Sequence, residues 1–331
     1  GQTFMHVKAF EYLVRKGLLN HNVKFIFEGE EEIGSRSLPA WVEANKERLA
    51  CDVILVSDTT MISDKVPSIN CGMRGVTYLQ VNVKGPDKDL HSGHYGGAVA
   101  NPINTLCDMI SSLIDADGRV TIPGFYDDVV EVSAEDRAEL ARAPHDEEEY
   151  KKSIGVDALK GEKGYSSLER TAIRPCLDVC GIWGGYTGVG SKTVLPSEAH
   201  AKISMRIVPN QKADKILDMA AKHILAIAPP YASVTVDKME AGNGFLIPIT
   251  SSAYKAASRA MAEVYGIEPV PSRGGGSICV LADMRNILGA DPLLMGFGLE
   301  RDTIHSPNES YLLRQFYAGI ESIALFYKYW E

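Results

Sequence analysis

VKFIFEGEEEIGS (residues 23–35) places four glutamates within five positions, Glu28, Glu30, Glu31 and Glu32, directly after an apolar run. The run Val23–Phe27 has the β-branched and aromatic content of a strand, and the glycine-flanked acidic stretch after it reads as a tight turn. Carboxylates packed this closely repel one another unless a cation or a hydrogen-bonding frame compensates them. Two more apolar runs behave alike. VILVS (53–57) leads to Asp58, and PLLMGFG (292–298) leads through a short loop to His305. In open α/β sheets ligands collect beyond the carboxyl ends of the strands, so these distant residues are expected to converge there. Carboxylate plus imidazole is a donor set for zinc, manganese or cobalt. On its own, the acidic turn is equally compatible with a solvated loop.

Working outward, residues 3–17 carry apolar positions at helical spacing and stop at Gly17, a helix closed by glycine. A helix is expected over 38–49, a second over 251–265, and a closing one over 311–329. These alternate with the apolar runs as in an α/β layer with a mainly parallel sheet. After NCGMRG (70–75) the pattern changes. Strands are expected near 76–85, 177–186, 198–208 and 232–240, with helices near 97–115 and 212–228, a β-α-β-β-α-β order typical of a small two-layer domain. The acidic segment 117–174 reads as a solvated helical excursion. The expected organisation is thus a discontinuous domain, 1–74 and 242–331, interrupted by an inserted α+β, ferredoxin-like domain, 75–241.

With 331 residues, two domains are the expectation. A net charge of -9 disfavours nucleic acid and anionic membrane surfaces as partners, since both require a basic face. The six cysteines lie scattered without a C-x-x-C pair, which fits a reducing compartment and a cytoplasmic location. GGYTGVGSKT (184–193) has the flavour of a phosphate-binding loop, but Ser191 stands where the lysine belongs and a strand rather than a helix follows.

Six motifs in order, FEGEEEIGS, VSDTT, DLHSGHYGGAVANP, KTVLPSEAHAKISMRIVPN, RGGGSI and HSPNE, resemble those of the M20 metallopeptidases, in the branch of cytosolic nonspecific dipeptidase and carnosinase. The resemblance covers essentially the whole chain and implies a zinc-peptidase-like catalytic domain with an inserted lid and dimerisation domain. It implies Glu31 as general base, Glu32 and His305 as ligands of one metal, and Asp58 as ligand of another. Two divalent ions, zinc or manganese, would then hold a water whose proton passes to Glu31 and on to the leaving amine.

His91 resembles the histidine that stabilises the oxyanion, Arg206 the arginine that grips the substrate carboxylate, and Thr193 and Ser277 further substrate-binding positions. A homodimer with composite sites is implied as well. Glu30 is expected to be solvated, and His6 and His94 receive no role.

The family's H-x-D motif and its metal-bridging aspartate are not found in these residues. Three of the five implied ligands are present, so this chain by itself is expected to be inactive. The function expected of the parent protein is hydrolysis of dipeptides or short peptides with a free C-terminal carboxylate. The alternatives are an N-acyl-amino-acid deacylase or aminopeptidase of the same family, or a noncatalytic binding protein on the same scaffold.

Overall fold

The computed structural model describes residues 1–331. The chain forms two compact units: Gly1–Met73 with Val132–His145 and Phe245–Glu331, and Arg74–Glu131 with Asp146–Gly244.

In the first unit, helix Gln2–Lys16 buries Met5, Ala9 and Leu13, a stripe spaced by four residues. Gly17 closes it at φ 64°, a left-handed conformation that glycine adopts without strain. Helix Leu313–Tyr329 buries Gly319, Ile323 and Phe326 in the same rhythm. The missing side chain at Gly319 makes room for Met5, whose sulfur occupies the space a Cβ would need. The sheet runs in the order Val53–Val56, Asp291–Leu294, Ser68–Met73, Val270–Gly274, with Phe245–Leu246 pairing Ser68–Met73. The first pair and the last pair on this path are parallel, and the two middle strands meet antiparallel at Leu294 and Asn70. Leu293, Leu294, Met295 and Phe297 are all buried, the continuous apolar run of a strand covered on both faces.

Several expectations about this unit need correction. Residues 23–27 form no ladder, and Phe27 is 66% exposed. Their rings pack on one another instead, Phe25 edge-on to Phe10 and stacked on Phe27. Strand-forming composition becomes a strand only with a hydrogen-bonding neighbour, and the ladders run through other segments. Conversely, Ser68–Met73 and Val270–Gly274 are strands that carry no alternating signal. The expected helix over 38–49 is two short ones, Leu38–Ala44 and Lys46–Leu49, broken at Asn45.

The second unit is an antiparallel sheet in the order Cys176–Gly184, Glu198–Ile207, Gly75–Lys84, Ser233–Gly242. With helices Pro102–Ser111 and Ala213–Ala226, this is the β-α-β-β-α-β arrangement read from the sequence. Leu79, Val81 and Val83 alternate along the strand Gly75–Lys84 and join Ala201, Ile203 and Met205 and the helical Leu106, Ile216 and Ala220 in one core. The expected helix over 97–115 is shorter, because Asn101 caps it by accepting from the Ile103 N–H and Pro102 occupies its first turn.

The acidic excursion is not simply solvated. Its stretch Val132–His145 belongs to the first unit, where Asp136 accepts from Arg273 at 2.7 Å. In the second unit, Glu162 is buried and receives Arg174 in a bidentate pair, Nε and Nη2 each at 2.7 Å.

Candidate metal centre

The acidic turn uses two of its glutamates to hold its own shape. Glu28 accepts from the Ser35 hydroxyl at 2.6 Å and from the Glu30 N–H at 3.2 Å. Glu30 accepts from the Ser37 N–H and hydroxyl, both at 2.9 Å. These bonds, the backbone one first, hold the Glu30 carboxyl below its ordinary range, so Glu30 fastens the turn rather than standing free in solvent. The chain then makes a 3-10 turn over Glu31–Ile33, closed by Gly34 at φ 87°. Glu31 and Glu32 are the two left over.

Glu32 and His305 meet although 273 residues separate them: Glu32 Oε1 lies 2.9 Å from His305 Nε2. His305 sits in a tight loop at φ 60°, between Thr303 at φ 53° and Asn308 at φ 66°. Such left-handed positions are costly outside glycine and asparagine, and their clustering marks a loop shaped around its side chains. Asp58 follows the carboxyl end of Val53–Val56. Burial raises the Glu31 carboxyl, and the charges of Asp58, Glu32 and Glu28 add to this while His305 opposes it. Asp58 is raised by its crevice walls first and by Glu32 second, again against His305. Glu31, Glu32, Asp58 and His305 therefore share one electrostatic neighbourhood, and all four line a crevice of 1770 Å³ in the first unit.

No three histidine, cysteine, aspartate or glutamate side chains are gathered as a finished metal cage. The donors present nevertheless suit a divalent cation. They are carboxylate and imidazole, and the two carboxyls are raised first by burial and then by the neighbouring carboxylate charge. A dication beside them would supply the missing countercharge.

The other expected residues lie elsewhere. Ser277 is half-buried in the first unit, two residues before helix Cys279–Leu288, and does not line the crevice, whereas its neighbour Ile278 does. In the second unit, His91 and Thr193 come together on the small ladder Leu90–His91 with Val194–Leu195, Nε2 to Oγ1 at 3.4 Å. Arg206 stands on strand Glu198–Ile207, opposite Val76 and Cys176, and close enough to Arg74 for the two positive charges to be felt.

One residue of the crevice escapes sequence reasoning. His6 Nε2 lies 2.8 Å from Ser57 Oγ, tying the first helix to the residue before Asp58. Nothing in the spacing of His6 signals this, since its partner is 51 residues away. Burial pushes the His6 imidazole down to about 4 from 6.5. The unfolded chain therefore takes up the proton first as pH falls. Stability contributed by neutral His6 is complete above pH 6.5 and is lost progressively toward pH 4. The loss is expected to reach about 3 kcal/mol, and His6→Gln should remove that share of the slope when urea unfolding is compared at pH 7 and pH 4.5. An unchanged difference between the two pH values in the variant would assign the slope to other groups.

Residues 1–329 match the profile of Peptidase family M20/M25/M40. The chain belongs to this family. It is 32% identical over 305 residues to the Cys-Gly metallodipeptidase dug1 of Schizosaccharomyces pombe, covering 91% of this chain and 64% of that protein. It is likewise 32% identical over 326 residues to the human Beta-Ala-His dipeptidase, covering 97% of this chain and 64% of that one. Among solved structures, the M20 family metallo-carboxypeptidase Sso-CP2 from Sulfolobus solfataricus superposes with a TM-score of 0.90 at 32% identity, over 100% of this chain and 75% of that one. The chain thus spans a little under two thirds of the length of the curated relatives it matches. The M20 resemblance carried by the six motifs and the mixed α/β fold with an inserted α+β unit are borne out. No helix is long and apolar enough to cross a membrane.

Proposed function

We propose that the protein to which this M20 chain belongs hydrolyses the peptide bond of dipeptides or other short peptides that end in a free carboxylate. The observation that supports this most is the meeting of Glu32 with His305 beside two carboxyls, Glu31 and Asp58, held above their ordinary range. Glu32 and His305 would hold one divalent ion, zinc or manganese, and Asp58 would belong to a second. Bound there, the ions supply positive charge that polarises the scissile carbonyl and acidifies water.

Glu31 takes the proton of the attacking water. Glu31 is assigned as ligand to neither ion, which leaves its carboxylate available to accept that proton and return it to the leaving amine. Arg206 receives the substrate's terminal carboxylate on its planar guanidinium through two parallel hydrogen bonds. His91 donates to the oxygen on which negative charge develops, and Thr193 and Ser277 complete substrate binding. The same reading includes a cytoplasmic location and a homodimer formed through the inserted domain, 75–241, while the discontinuous domain, 1–74 and 242–331, carries the ions. These 331 residues hold three of the five ligands that the resemblance implies.

The likeness to a metallo-carboxypeptidase favours a second substrate class, longer peptides trimmed one residue at a time from the carboxyl end. The product of the full reading frame, supplied with zinc or manganese, should be offered dipeptides, longer peptides, C-terminally amidated dipeptides and N-acyl amino acids. Cleavage of free dipeptides with loss of activity on amidated ones is expected. Cleavage confined to N-acyl amino acids would assign a deacylase, and neither hydrolysis nor tight metal binding would leave a binding protein.

A further inference from the structure

We propose that Gly93 and His94 hold the imidazole of His91 in a single tautomer and orientation, with its proton on Nε2 and His94 acting as a positioning residue. The proposal rests on the reading of His91 as the oxyanion donor. Its geometric side stands independently of that reading.

His91 is the N-cap of the short helix Ser92–Tyr95, and its Nδ1 accepts from the Gly93 backbone N–H at 3.1 Å. A ring nitrogen that accepts from an N–H cannot itself carry a proton, so in the neutral ring the proton resides on Nε2. Nε2 is the atom that faces Thr193 Oγ1, at the long separation of 3.4 Å, which leaves it only weakly engaged and free to donate to a stronger acceptor. A developing oxyanion is such an acceptor.

The ring must also point in one direction. His94 supplies that restraint, since its ring stacks on His91 with centroids 4.5 Å apart and planes inclined by 27°. Both histidines are exposed, so the surrounding core does not fix the His91 ring, and the stack and the cap bond are what limit its rotation. Gly93 is required for the approach. A Cβ there would stand 3.0 Å from His91 Cε1 and 3.2 Å from Nδ1, so an added side chain shifts the ring by a few tenths of an ångström and lengthens the bond to the N–H that sets its tautomer.

Two-bond nitrogen–proton spectra of the chain labelled with 15N-histidine read the tautomer directly. His91 protonated on Nε2 is expected in the unaltered chain and in His94→Phe, which keeps a stacked ring. His94→Ala should retain the tautomer but show a reoriented, more mobile ring, and Gly93→Ala should show mixed tautomers. A His91 ring protonated on Nδ1, or averaged between both forms, in the unaltered chain overturns the proposal.

In the hydrolase encoded by the full reading frame, His94→Ala is expected to lower kcat about tenfold with KM unchanged, since misplacing a donor costs transition-state stabilisation alone. His94→Phe should restore the rate. An undiminished kcat in His94→Ala, where His91→Ala still loses rate, overturns the role assigned to His94. An undiminished rate in His91→Ala removes the oxyanion role itself, and the nitrogen spectra then still decide the lock.

Discussion

If the proposed peptidase activity holds, replacing Glu31 by glutamine is expected to lower kcat by about 10²- to 10⁴-fold, the range typical of losing a general base, while KM changes little. Glutamine keeps the shape and the hydrogen-bonding reach of the side chain but cannot take a proton from water. Glu31 is free for this role because its neighbours are committed. Glu28 is held by Ser35, Glu30 by Ser37, and Glu32 by His305. The control is Glu30→Gln, which weakens the fastening of the turn without removing the base and should cost far less than Glu31→Gln. Steady-state rates on a dipeptide check both variants. Equal losses in the two would mean that the turn's shape, and not proton transfer at Glu31, sets the rate.

The second large effect concerns stability. Glu162 is 5% exposed and Arg174 4% exposed, and Arg119 adds a third contact to Glu162 at 2.8 Å. Arg174 also lies over the Tyr165 ring, 4.4 Å from its centroid. Glu162→Ala removes the only carboxylate bonded to a guanidinium that remains buried, and a loss of about 3–5 kcal/mol is expected, read as a fall in the urea midpoint. The double variant Glu162→Ala with Arg174→Met should recover much of that loss, because no uncompensated buried charge is left behind, Arg119 being 45% exposed and able to meet water. If Glu162→Ala alone proves neutral, water reaches Arg174 and the pair is not a buried one.

Particular residues show how far local pattern carries. The apolar runs at 53–56 and 292–294 announce themselves as strands by continuous hydrophobicity, although only the second is fully buried and Val53–Val56 stay half-buried. Ser68–Met73 and Val270–Gly274 do not, since Asn70, Gly72, Pro271 and Arg273 have no strand preference and are strands only through the neighbours that bond them. Residues 23–27 show the converse, with strong preference and no partner. The helix Ala134–Leu140 is legible as a helix from Ser133, which caps it by accepting from the Asp136 N–H. That it packs beside the strand Val270–Gly274, with Asp136 on Arg273, depends on a partner 137 residues away.

The amino-acid sequence by itself determined the class of fold and the family, and it named the side chains proposed to carry the chemistry. Periodicity, capping residues and short motifs act over a few neighbouring positions and can be read there. Only the tertiary structure decided that Glu30 fastens a turn and that His6 braces Ser57. Hydrogen-bond partners, burial and summed charge are properties of neighbours in space, and the folded chain alone sets which distant residues those are.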